Sequence, residues 1–111
     1  MAYDESLAAR IRAALGRTKN IEEKRMFGGV GFLLSGNLLV GVWKESLIVR
    51  LGPDGYENAL LEPHVTEFDI TGRPIKGWVL VVPKGVVSED QLSGWILRAT
   101  KFVGKLAAKP K

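Results

Sequence analysis

Residues 25–51, RMFGGVGFLLSGNLLVGVWKESLIVRL, decide the fold. Two short turn-forming stretches, Ser35-Gly36-Asn37-Leu38 and Lys44-Glu45-Ser46-Leu47, divide the apolar runs, so the segment reads as three antiparallel strands in a meander. Gly36-Asn37 between apolar runs is a two-residue hairpin signal, because both residues tolerate positive φ. That turn pairs Leu34 with Leu39, Leu33 with Val40, Phe32 with Gly41 and Val30 with Trp43. A second turn at Glu45-Ser46 sets Trp43 against Ile48, Val42 against Val49 and Val40 against Leu51.

Period-two alternation then assigns faces. One carries Leu33, Leu38, Val40, Val42, Leu47, Val49 and Leu51, and the other Phe32, Leu39, Trp43 and Ile48 with Arg50 near its centre. Helices cover only one face of a two-layer sheet. The second apolar face therefore calls for a protein partner, a second copy, or later segments of the chain, unless a one-residue slip in register exchanges the faces. Ahead of it, Gly28, Gly29 and Gly31 weaken the first strand by entropy and need a backbone reason. Strand glycines usually mark bends, which favours a bulge over close approach by a helix or ligand.

Asp4–Leu15 reads as a helix, with Leu7, Ile11 and Leu15 on one stripe and Gly16 as a left-handed stop. Residues 18–23 read as a polar connector. Pro53–Leu61 reads as a short second helix with Tyr56, Ala59 and Leu60 on one face. Alternation over Thr66–Ile70 predicts a half-buried strand, and WVLVV at Trp78–Val82 a central one. Ser88-Glu89-Asp90-Gln91 is a capping box that starts a long last helix buried along Leu92, Trp95, Ile96, Ala99, Val103 and Leu106. Residues 107–111 read as a frayed basic tail on a single domain spanning 1–111.

A chain of 111 residues hides about two-thirds of its unfolded surface and folds without a metal or disulfide staple. There are no cysteines, which removes disulfides, thiol catalysis and thiolate metal sites. Met1-Ala2-Tyr3-Asp4-Glu5 is acidic and opens no apolar run, and no window approaches the ~20 apolar residues of a membrane span. The expectation is a cytoplasmic bacterial protein with no membrane contact. Lys101, Lys105, Lys109 and Lys111 lie with Arg98 beyond the last acid, Asp90, five bases against a net charge of +4 for the whole chain. The positive field is thus a C-terminal feature.

Chemistry-bearing signals are few. His64 is the one histidine, placed in a loop after Glu62-Pro63, and makes a poor metal site alone. The glycines at 28–31 do not fit a dinucleotide fingerprint, and no phosphate loop or nucleophile elbow is present. No catalytic set, metal site or cofactor follows. Arg73 and Lys76, in the Gly-rich turn Thr71-Gly72-Arg73-Pro74-Ile75-Lys76-Gly77-Trp78, are the candidate anion site, with a solvated hairpin loop as the plainer reading. Arg98, Lys101, Lys105 and Lys109 are the candidate nucleic-acid contacts, although no aromatics interleave with them and no groove-reading motif accompanies them.

Lys24-Arg25-Met26-Phe27-Gly28-Gly29-Val30 with Phe32, Gly36-Asn37, Leu47-Ile48-Val49-Arg50-Leu51, Gly72-Arg73-Pro74-Ile75-Lys76-Gly77-Trp78 and the late helix with Trp95 together resemble the N-terminal domain of TfoX/Sxy-type bacterial proteins. So does Tyr3-Asp4-Glu5 ahead of the first helix. The resemblance spans nearly the whole chain. It implies a secretion-chaperone-like α+β two-layer sandwich, with an antiparallel sheet of about five strands in the order α-β-β-β-α-β-β-α. It also implies a link to competence regulation through members that act as transcriptional coactivators and carry a second, helical C-terminal domain, which this chain is expected to lack. No catalytic residues transfer. The expected function is a non-enzymatic interaction or regulatory module using Phe32, Leu39, Trp43, Ile48 and Arg50. The alternatives are a nucleic-acid-associated protein and an enzyme or binder of a small anionic ligand at residues 72–78.

Overall fold

A computed structural model describes residues 3–26, 28–69 and 72–106. The elements run α1 (Glu5–Leu15), β1 (Ile21–Met26), β2 (Gly29–Leu34), β3 (Asn37–Trp43), β4 (Ser46–Arg50), α2 (Gly52–Leu60), β5 (Val65–Glu67), β6 (Trp78–Val81), a 3₁₀ turn (Pro83–Val86) and α3 (Glu89–Val103). The six strands form one antiparallel sheet in the order β1-β2-β3-β4-β6-β5. The α+β class and the broad order of elements are as expected, with one strand more than the meander implied.

That strand is β1. The stretch 18–23, taken as a connector, in fact runs into it. Its sequence IEEKRM is almost wholly exposed, so no apolar alternation marked it. Four charged side chains on an outer strand deter pairing with another sheet. The glycine block is therefore a hairpin and not a bulge. Phe27 lies outside the described residues, and Gly28 follows it at φ +76, a left-handed conformation that suits glycine. Gly29 and Gly31 lie under close neighbours, as the register of β1, β2 and β3 requires.

The hairpin turns each sit one residue earlier than expected. Ser35 and Gly36 take φ of 51° and 85°, so Asn37 pairs with Leu34 and enters the strand. A bulge between Phe32 and Leu33 then shifts the register, giving Leu33 opposite Leu38 but Phe32 opposite Val40. The second turn is Lys44-Glu45, with Lys44 at φ 55°, and pairs Trp43 with Ser46 and Val40 with Val49. A one-residue slip exchanges faces. Phe32 and Leu39 accordingly belong to the helix-side core, and Leu33 and Leu38 to the opposite face. Trp43, Ile48 and Arg50 keep the side that alternation gave them.

All three helices contribute to the larger core, through Leu7, Ile11, Tyr56, Ala59, Leu92, Trp95 and Ala99 against the inner residues of β2–β6. Asp4 caps α1, its carboxylate accepting from the Ser6 and Leu7 amides. Gly16 is not a left-handed stop, since its φ is −29°. The capping box of α3 is formed in both directions between Ser88 and Gln91. β5 is shorter than expected, and Ile70 lies outside the described residues. β6 is an inner strand, between β4 and β5. No helix among the described residues is long and apolar enough to cross a membrane.

Arg12 and Glu23 tie α1 to β1 with two hydrogen bonds of 2.6 and 2.8 Å. The Arg12 guanidinium holds the Glu23 carboxyl below its ordinary range. Its stabilising effect is therefore complete above the unfolded carboxylate value and fades as pH falls through the lowered native one. Both groups are substantially exposed, so solvent limits the pair to below about 1 kcal/mol. Glu23→Gln is expected to cost no more than that at neutral pH. The difference from the parent should vanish below the acid range, as read from melting temperature against pH.

Candidate functional site

The sheet's second face is the first place to look, because none of the described helices packs on it. The chain itself covers much of it. Phe68, leaving β5, is fully buried against Leu38, Ile48 and Leu80, and Ile75 and Trp78 pack beside it. Phe68 and Trp78 rings lie 5.3 Å apart, and the Ile75 amide donates to the Phe68 carbonyl. Phe68, Ile75 and Trp78 thus form a small apolar layer of their own.

This placement corrects the expected interaction face. Phe32 and Leu39 lie under the helices, and Ile48 lies under the return segment, so none of the three is open to a partner. What remains half-buried at the edge of this layer is Met26, Leu33 and Trp43. Met26 and Leu38 close over Gly31, where an added Cβ would lie 2.7 Å from the Met26 sulfur. Met26 and Leu33 are not among the candidate interaction residues of the sequence, because strand β1, which places Met26, is polar, and the shifted register moves Leu33 from the face that alternation assigns it.

Trp43 also borders an open cleft of about 700 Å³, lined by Tyr3, Asp4, Trp43, Lys44, Glu45, Ser46 and Pro83. Tyr3 forms an isolated bridge to Lys44, and the Asp4 amide donates to the Lys44 carbonyl at 2.8 Å. These contacts dock Tyr3 and Asp4 on the β3–β4 hairpin. The Lys44 ammonium lies 4.7 Å from the Trp43 ring centroid, which holds both side chains at the cleft.

The basic candidates divide. Arg98 is committed within the chain: it grips Glu62 with bonds of 3.1 and 2.8 Å and lies 4.3 Å from the Trp95 ring centroid. Lys101 and Lys105 are exposed at the end of α3, and Lys109 lies outside the described residues. Arg73 and Lys76 are both exposed on the return segment. Arg50 is half-buried at the end of β4, its guanidinium carbon 5.6 Å from the Trp78 ring and 5.7 Å from the Phe102 ring.

His64 is an exposed loop residue at φ 69°, beside a cleft of about 280 Å³ that the Glu62–Arg98 pair also lines. Among the described residues no group of three or more His, Asp or Glu side chains could hold a metal ion.

Residues 13–103 match the family model of the TfoX N-terminal domain. The chain belongs to that family. No curated protein and no solved structure matches it. Membership in the TfoX N-terminal domain family associates the chain with a competence-related regulatory group of domains. The matched span contains the whole sheet, so the half-covered second face is carried by the TfoX N-terminal domain itself.

Proposed function

We propose that the chain is a non-enzymatic interaction module with a regulatory role, and that it holds a partner protein at the uncovered edge of the second sheet face. The observation that carries this reading is the half-buried trio Met26, Leu33 and Trp43, left outside the layer built by Phe68, Ile75 and Trp78. Tryptophan is over-represented among the few residues that dominate protein interfaces. Trp43 also stands where this edge meets the cleft at the β3–β4 hairpin. Membership in the TfoX N-terminal domain family supports the regulatory part, including a role in transcriptional or competence control. Nucleic-acid association through Lys101 and Lys105 has less support, since Arg98 is already paired with Glu62.

Host extract captured on the purified chain tests the proposal. A partner retained by the parent is expected to be lost with Trp43→Glu and kept with Leu61→Glu, which alters the most exposed large apolar side chain among the described residues, at 84%. The reverse pattern would move the interface to Leu61 and end this reading. Sedimentation at rising concentration separates the remaining occupant, a second copy. Self-association abolished by Trp43→Glu would keep the face and replace the partner.

A further inference from the structure

Arg50 is a cation half-withdrawn from water. Among the described residues no carboxylate comes within ion-pair distance, and no acceptor is hydrogen-bonded to its guanidinium. Its neighbours are aromatic, Trp78 directly opposite on β6 and Phe102 on the last turn of α3. Desolvation lowers the guanidinium's pKa from its ordinary value, yet arginine stays charged at neutral pH.

A guanidinium offers five N–H donors in a planar fork and accepts nothing. Aromatic rings stabilise its charge without supplying the oxygen lone pairs those donors require. Among the described residues, the donors of Arg50 therefore meet no protein acceptor and its charge no protein acid. A bidentate oxyanion satisfies both.

The surroundings add charge of the same sign. The Gly77 carbonyl accepts from the Leu51 and Gly52 amides at 2.7 and 3.0 Å, which ties the return segment to the end of β4. Lys76, immediately before Gly77, is exposed and forms no ion pair among the described residues. Lys105 follows Phe102 by one turn, its amide bonded to the Phe102 carbonyl at 3.1 Å. The first turn of α2 begins at Gly52, two residues beyond Arg50, and brings a positive helix end with it. Asp54, on that turn, is exposed and makes no ion pair with Arg50. Such a surplus suits a dianion better than a monocarboxylate.

We propose that Arg50, framed by Trp78 and Phe102 and supported by Lys76, is a binding site for the phosphate group of a small phosphomonoester. The proposal is independent of the interaction face at Trp43.

Titration of the ¹⁵N-labelled chain with inorganic phosphate at constant ionic strength tests it. The Arg50 Nε–H and Trp78 indole resonances are expected to shift saturably, with a Kd of about 1 mM or tighter. Acetate should bind at least about tenfold more weakly. Arg50→Lys keeps the charge but loses the planar fork, and should weaken phosphate at least about tenfold. Lys84→Ala, on the 3₁₀ turn, should leave binding unchanged. Arg50→Met should abolish binding, and where that variant does not fold, Arg50→Lys gives the answer. Shifts that stay linear in phosphate would overturn the proposal. So would shifts gathered at Lys101, acetate matching phosphate, or an unaltered Kd in Arg50→Lys.

Discussion

Phe68→Ala is expected to destabilise the fold by about 3–5 kcal/mol, read from chemical denaturation. The side chain is fully buried and is the largest member of the second-face cluster with Leu38, Ile48 and Leu80. Its removal leaves a cavity that no helix can fill, since the helices pack on the other face. The backbone resists collapse as well, because the Ile75 amide holds the Phe68 carbonyl across the return segment. Leu61→Ala supplies the contrast. That side chain is 84% exposed, and its loss should fall within about ±0.5 kcal/mol. A cost for Phe68→Ala below about 1.5 kcal/mol would mean that the return segment is not a true second layer.

Gly29→Ala is expected to be as damaging, at or above the ~3 kcal/mol usual for an overpacked core. A Cβ built at Gly29 would sit on the Val42 carbonyl oxygen, far inside contact distance. The obstruction is backbone in an inner strand, so no rotamer change relieves it. Its neighbour separates sterics from conformation. Gly28 has open space around a Cβ but a φ of +76, so Gly28→Ala should cost only about 1–2 kcal/mol. Equal costs at the two positions, measured by the same denaturation, would refute the close-approach account of Gly29.

These positions also show where the sequence was readable. Long apolar periodicity and side-chain capping chemistry are local, so α1 and α3, with the Ser88 box, stood out. WVLVV announced an inner strand because both its faces are apolar, and β6 is covered on both. β1 was missed because an edge strand needs no apolar alternation, and its four charges resemble a connector. The hairpin turns were each misplaced by one residue, because Ser35 and Lys44 adopt positive φ, which glycine or asparagine would have advertised and these residues do not. The bulge at Phe32/Leu33 compounded the first error and sent Phe32 and Leu39 to the wrong face. Of the candidate interaction residues, only Trp43 combines the predicted side with partial exposure and a place in a cleft. Arg50 was legible as a charge on an apolar strand. Its aromatic frame was not, because Trp78 and Phe102 reach it from elements far apart in the chain.

The strand order carries a consequence for how the molecule assembles. β1 to β4 are sequence neighbours that zip together as local hairpins, whereas β6 must cross back over α2 and β5 to reach β4. Among the described residues, β5 pairs with β6 alone. It is synthesised before its only ladder exists, so it waits for β6 to close the long loop onto β4. Chain order and ladder order are therefore inverted at this end, and the slow entropic step of folding falls on the arrival of Trp78–Val81.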